Sequence, residues 1–300
     1  MSKKEIIIGI LAVAMVAMGG LMGIAFWPDS SPALAVTEDA RPSLRWLGWS
    51  HFEIVTVDGT VIRLNPWVTN PDSPVTLEDI TEADYILVPN GHRDEVGETI
   101  EIALRTGATV ITGGYELGSW MIEQGVPQEQ VIRSNPGNWH QLGNITVRVV
   151  NSIHGSGLPA PTAQNPYGGP AAGFFITLET GYTIYFAGST AATMDMKLWG
   201  STFKPNLAIL PLNSSRDPLD VAQMVRLLSM DNPNLGQVIA HHQRAVPGEG
   251  HATIAQMEAA IRSLADSPVT VLRLKPGQTI RLGEYVGVLQ PPREGSGGGE

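Results

Sequence analysis

Between Ile86 and Glu98 the sequence reads ILVPNGHRDEVGE: an apolar, strand-like run, a Gly turn, then His92, Asp94 and Glu95. Imidazole and carboxylate hold Zn²⁺ at about 2.0–2.2 Å, so this loop has the outline of a metal site. Other apolar runs also end in polar residues: His154 after VVNSI, Ser189 after YFAG, and His241 and His242 after VIA. Sites in layered αβ proteins form where such strand-end loops converge. Each residue has a plainer reading as well. His92, Arg93, Asp94 and Glu95 would then form a charge-paired turn, and His154 a satisfied buried imidazole. His242, with Glu249 and His251, is a candidate replacement ligand. It directly follows His241, however, and in a strand would face the other way. The HGSG around Ser156 lacks the G-x-S-x-G pattern of a nucleophile turn, and no glycine-rich stretch continues into the G-K-[ST] of a phosphate loop.

The elements that must position these residues alternate between strand pairs and strand–helix units. LRWLGWSHFEIVTV and TVIRLNPWV flank Asp58-Gly59, a hairpin signal. TLEDITEAD predicts a short helix capped by Thr76 and Asp79. VGETIEIALRTGATVITGG reads as a helix, a stop at Gly107 and a strand, and ELGSWMIEQG as a helix closed by Gly125. In the second half, NITVRVVNSIH is a strand and AAGFFITLETGYTIYFAG a hairpin turning at Thr180-Gly181. PNLAILPL is a buried strand, PLDVAQMVRLLSM an amphipathic helix, GQVIAHHQ a strand and TIAQMEAAIRSLAD a last helix. No internal repeat stands out. The fold class is α/β, an αβ sandwich of two sheets covered by helices.

The 300 residues carry 43% hydrophobic and 16% charged side chains, enough for a large core. A net charge of −10 argues against nucleic acid as a partner, because such binders need a basic face. With no cysteine there is no disulfide, thiolate zinc site or cysteine nucleophile. Ile6 to Trp27 are 22 uncharged residues, roughly 33 Å as a helix, about one hydrocarbon core. Lys3 and Lys4 precede this run, so residues 1–5 are expected in the cytoplasm. Residues 6–27 are expected to span the cell membrane once, 28–42 to form a linker, 43–290 a periplasmic (extracytoplasmic) domain, and 291–300 a disordered tail. The alternative, a cleaved signal peptide ending at Ala35, requires an apolar region longer than the usual ~7–15 residues.

From Leu44 to His242 the chain resembles the metallo-β-lactamase superfamily, nearest its predicted metal-dependent, lactonase-like hydrolases. The segments that carry the resemblance are YGGPAAGFFI with GYTIYFAGST, LAILPL, and TGATVITGGYELGSWMIEQGV. It implies a four-layer αβ/βα fold and two metals held by H-x-H-x-D-H, a later His, a bridging Asp and a last His. Carried over residue by residue, His92, Asp94, His154 and His241 match. Asn90 and Glu95 stand at two histidine positions of NGHRDE, and Ser189 stands at the bridging Asp. The family's GHS is GWS here, with Trp49, and its DPF is NPW, with Asn65.

A pair of Zn²⁺ ions about 3.5–4 Å apart needs an anionic bridge, which Ser189 cannot supply. The sequence therefore points to a non-catalytic accessory subunit, without cofactor, of an integral membrane protein complex. Its contacts would be the transmembrane helix and the outer domain. The second expectation is a membrane-anchored hydrolase of a lactone, amide or phosphoester. In it one Zn or Fe ion is shared by His92, Asp94, Glu95, His154 and His241, and Asp94 is the catalytic residue that orients water.

Overall fold

In the computed structural model, residues 41–213, 216–264 and 268–283 are described. The expected membrane span, the tail and nearly all of the expected linker lie outside them. Among the described residues no helix is long and apolar enough to cross a membrane.

Short apolar runs, many buried at every position, form fourteen strands in two sheets of seven among the described residues. The first half supplies β1 (Ser43–Trp46), β2 (Phe52–Val55), β3 (Val61–Leu64), β4 (Tyr85–Val88), β5 (Thr109–Thr112) and β6 (Val131–Arg133). The second supplies β7 (Trp139–Leu142), β8 (Ile145–Asn151), β9 (Ala172–Thr177), β10 (Thr183–Phe186), β11 (Leu207–Pro211), β12 (Gln237–His241) and β13 (Thr270–Leu272). Then β14 (Thr279–Arg281) returns to pair with β1. The sheet orders are β14-β1-β2-β3-β4-β5-β6 and β13-β12-β11-β10-β9-β8-β7. Each has three successive antiparallel pairings, from the β14 end of the first sheet and from the β7 end of the second, followed by three parallel ones. The halves thus share a pairing plan that no sequence repeat announces.

One core lies between the sheets. Phe52, Ile54, Ile62 and Leu64 face Phe174, Ile176, Ile184 and Phe186, all essentially inaccessible, and each such side chain contributes roughly 1.5–3 kcal/mol on burial. A second core lies under α2 (Thr99–Thr106) and α3 (Tyr115–Glu123) on the outside of the first sheet. A third lies under α4 (Asp195–Phe203), α5 (Pro218–Ser229) and α6 (Ile254–Leu264) on the outside of the second. The order is helices, sheet, sheet, helices, as the αβ/βα expectation has it. Asp217 caps α5 by accepting from Leu219 N at 2.9 Å, and Gly107 ends α2 in the left-handed conformation.

Two local expectations change. The stretch from Thr76 forms turns, not a helix. Asp79 does accept from the Thr76 amide and hydroxyl, at 2.8 and 3.0 Å. However, Asp84 is fixed to Val61 through its own amide and its carboxylate, 2.9 and 2.7 Å away, and the few residues between cannot repay helix nucleation. Conversely, the NGHRDE turn contains a one-turn helix, α1 (Arg93–Val96).

Gly97 closes α1 at φ 49°, and a Cβ there would overlap the Trp67 backbone. Strain and clash act together, so Gly97→Ala should cost about 3 kcal/mol or more in urea unfolding. Gly125→Ala, at φ 103° with nothing within 4 Å, should cost clearly less.

Candidate functional site

The parallel strands β3, β4, β10 and β12 run so that the segments after their C-terminal ends meet where the two sheets touch. A backbone bond across the sheets, Ala172 N to Pro89 O at 3.0 Å, fixes the segment after β4 against β9. Successive residues of a helix point about 100° apart, so α1 aims its two carboxylates differently. Glu95 turns inward and is inaccessible, whereas the Asp94 side chain keeps 32% of its surface exposed.

Glu95 is surrounded by donors from three other segments. Ser189, after β10, donates its hydroxyl to Oε1 at 2.7 Å. Asn65, after β3, donates its amide to Oε2. His242, after β12, brings Nε2 to 3.3 Å from Oε1. The same Nε2 lies 3.4 Å from Asp94 Oδ2, which also accepts from Trp49 Nε1 at 2.9 Å. Burial alone would raise both carboxyls. The His242 contacts outweigh it, holding Asp94 at about 2 and Glu95 below the usual carboxylate range. Burial alone would likewise lower His242, yet the two carboxylates raise it to about 9.

His241 does not reach the carboxylates. It packs on Phe186, is held neutral by burial, and meets His242 through Nδ1–Nδ1 contact at 2.6 Å. The imidazole aimed into the site is therefore that of His242, a correction to the sequence assignment of His241. Strand alternation fails here because His242 has left the strand at φ 56°. Four non-glycine residues among those described have positive φ, and three of them, Trp49, Asn65 and His242, line this site. Such strain persists only where the surroundings enforce it.

His92 and His154 form a separate pair nearer solvent, with Nδ1 and Nε2 3.2 Å apart and the rings at 84°. The pKa of His154 is lowered, by burial above all and then by the neighbouring His92 ring, while the charge of Glu95 acts the other way. Asn90 is buried. Its oxygen accepts from the His92 amide at 3.0 Å, and its Nδ2 has no partner. Arg93 is exposed, so the charge-paired turn through Arg93 does not form; His242 supplies the cation. Glu249 and His251 are exposed on the loop after β12.

A two-metal centre does not fit these residues. Ser189 spends its proton on Glu95, and the Asn90 oxygen is engaged by backbone. One ion fits the donor chemistry of Asp94, Glu95 and His242, two carboxylates and an imidazole. The 3.3 and 3.4 Å separations exceed a charge-assisted hydrogen bond of about 2.7–2.9 Å. Among the described residues, however, no three His, Asp or Glu side chains are already drawn around one point, so the donors would have to close on the ion.

In protein freed of metal by a chelator, His242 should titrate near pH 9 by NMR, and Glu95→Gln should lower that value by about one unit or more. The sign follows from linkage. The folded value of His242 lies above the usual ~6.5, so its contribution to stability is complete below ~6.5 and fades as pH rises towards 9. Those of Asp94 and Glu95 are complete above ~4.3 and fade as pH falls.

The chain matches the β-lactamase superfamily domain over residues 43–235. It is 31% identical over 238 residues to a UPF0173 metal-dependent hydrolase of Myxococcus xanthus, covering 77% of this chain and 84% of that one. It is 34% identical over 246 residues to another from Caldivirga maquilingensis, covering 80% and 97%. Among solved structures, Igni18, a metallo hydrolase of Ignicoccus hospitalis, superposes with a TM-score of 0.66 at 25% identity, covering 81% of this chain and 99% of that one. The two-sheet sandwich thus has its counterpart in a known structure, and the chain belongs to the β-lactamase superfamily and, within it, to the UPF0173 family of metal-dependent hydrolases.

Proposed function

We propose that the protein is a hydrolase that works with a single divalent ion, Zn or Fe, held by Asp94, Glu95 and His242. The observation that carries this reading is the charge in the buried site. Two carboxylates held ionised face one imidazolium, which leaves one negative charge where charge is poorly solvated. A divalent ion in place of the His242 proton brings that sum to zero. The relatives are metal-dependent hydrolases, which supports the same reading.

A bound ion of this kind supplies Lewis acidity and a more acidic water. The rest falls to the chain. His241 Nδ1 would accept a hydrogen bond from the His242 Nδ1–H and so fix its tautomer, as outer partners of metal-binding imidazoles do. Trp49 holds the Asp94 carboxylate from the open side. His92 and His154, at the solvent side, are placed to bind and orient the substrate carbonyl or phosphoryl oxygen. Lactones, amides and phosphoesters are the substrate classes this suits. A span at residues 6–27 would hold the domain outside the cytoplasm.

The second reading is a non-catalytic subunit of a membrane complex. Ser189 at the bridging position and the absence of a preformed ligand cage among the described residues favour it. Elemental analysis separates the two. Purified without chelator and offered excess Zn²⁺ or Fe²⁺, the protein should hold about one equivalent, and His242→Ala or Glu95→Gln should hold less than about one tenth. No metal in the parent protein would leave the scaffold reading.

A further inference from the structure

The outer face of the second sheet carries a groove unrelated to the strand-end site. Cross-strand register lines up Trp139, Arg148, Phe175 and Tyr185 on neighbouring strands. Helix α4 covers the last two. Trp199 contacts both rings, and Phe203 lies 4.9 Å from Phe175. The helix stops short of the edge strand β7, so Trp139 stays 56% exposed. Beside the helix end is an open cavity of about 340 Å³ lined by Asn138, Arg148, Trp199 and Phe203 among others, within the range of small-molecule sites.

Among the described residues that line this groove, Arg148 alone carries a charge. Its guanidinium lies 5.3 Å from the Phe203 ring centre and 5.8 Å from that of Trp139. Among the described residues no carboxylate pairs with it. In a chain of net charge −10, a cation left without an acid on an aromatic floor is charge-complementary to an anion. The planar guanidinium fork matches a carboxylate with two parallel bonds, while the rings accept a flat apolar body face-on or edge-on.

We infer that this groove binds a small aromatic carboxylate, with the acid on Arg148 and the ring against Phe203 and Trp199. The site is distinct from the Glu95 centre and does not depend on metal there.

The test uses the full-length chain in phosphatidylcholine nanodiscs and titration calorimetry with naphthalene-2-carboxylate, its neutral carboxamide and decanoate. The naphthoate should bind saturably, and the carboxamide and decanoate at least about tenfold more weakly. Arg148→Met keeps apolar contact with the Phe203 and Trp139 rings. It should weaken naphthoate about tenfold or more and leave the carboxamide unchanged. Asn138→Asp retains the oxygen that accepts from Asn135 N and adds a repelling charge, so it should also weaken naphthoate. Glu95→Gln should leave binding intact. No saturable binding, equal affinity in Arg148→Met, preference for decanoate, or loss in Glu95→Gln would each overturn the assignment. So would concentration-dependent self-association that Trp139→Ala abolishes, which would make the groove a contact between copies.

Discussion

The ionised Glu95 carboxylate, inaccessible at the joint between the sheets, is the constraint on which the site depends. An isolated buried carboxylate would cost far more than a domain's net stability, so it exists only with its donors in place. Those donors come from the segments after β3, β10 and β12, and the carboxylate itself follows β4. A single charge therefore ties four strand ends to one another. The same demand accounts for the left-handed backbones of Asn65 and His242. Extended residues at these positions would send their side chains along the strand's alternation and not towards Glu95.

How much of this was legible in the sequence depended on the range of the interaction. The hairpins at Asp58-Gly59 and Thr180-Gly181, the stop at Gly107 and the buried strand Leu207–Pro211 are set by local turn chemistry and apolar pattern, and they form as expected. His92, Asp94, Glu95, His154 and Ser189 could be named because each follows a strand. His242 was discounted because alternation is a rule about strands, and its positive φ is imposed by partners more than 140 residues away in sequence, Asp94 and Glu95. The turns after Thr76 were misread for a similar reason, since Asp84 is held by Val61 across the sheet. The common pairing plan of the two halves leaves no mark in sequence, because many apolar sequences satisfy the same strand order.

The two outer faces show what helix length decides. On the first sheet, α2 and α3 bury a continuous apolar layer. On the second, α4 ends at Phe203 before reaching the edge strand, and the cross-strand row of rings and Arg148 continues beyond its cover. An arginine within that row keeps the exposed margin soluble and discourages pairing with another edge. It also gives the margin a chemical preference that a purely apolar edge would lack.

The altered positions of the metal motif are better understood together than singly. The family resemblance places histidine at 95 and aspartate at 189, and this chain has glutamate and serine. The count of carboxylates is unchanged, and the serine hydroxyl donates to the glutamate at 2.7 Å. The longer Glu95 side chain, entering from α1, delivers its oxygen next to the position an Asp at 189 would serve. A short neutral residue there makes room for it. Random decay of a ligand set would not be expected to relocate a charge and supply its hydrogen bond in the same step. On the single-ion reading proposed above, His242 would be the nitrogen donor beside two oxygens, a harder set than the family pattern and one that tolerates several divalent ions. On the same proposed reading, a serine at the bridging position would remove the means of holding two ions close together, and the carboxylate moved to Glu95 would keep the charge that attracts one.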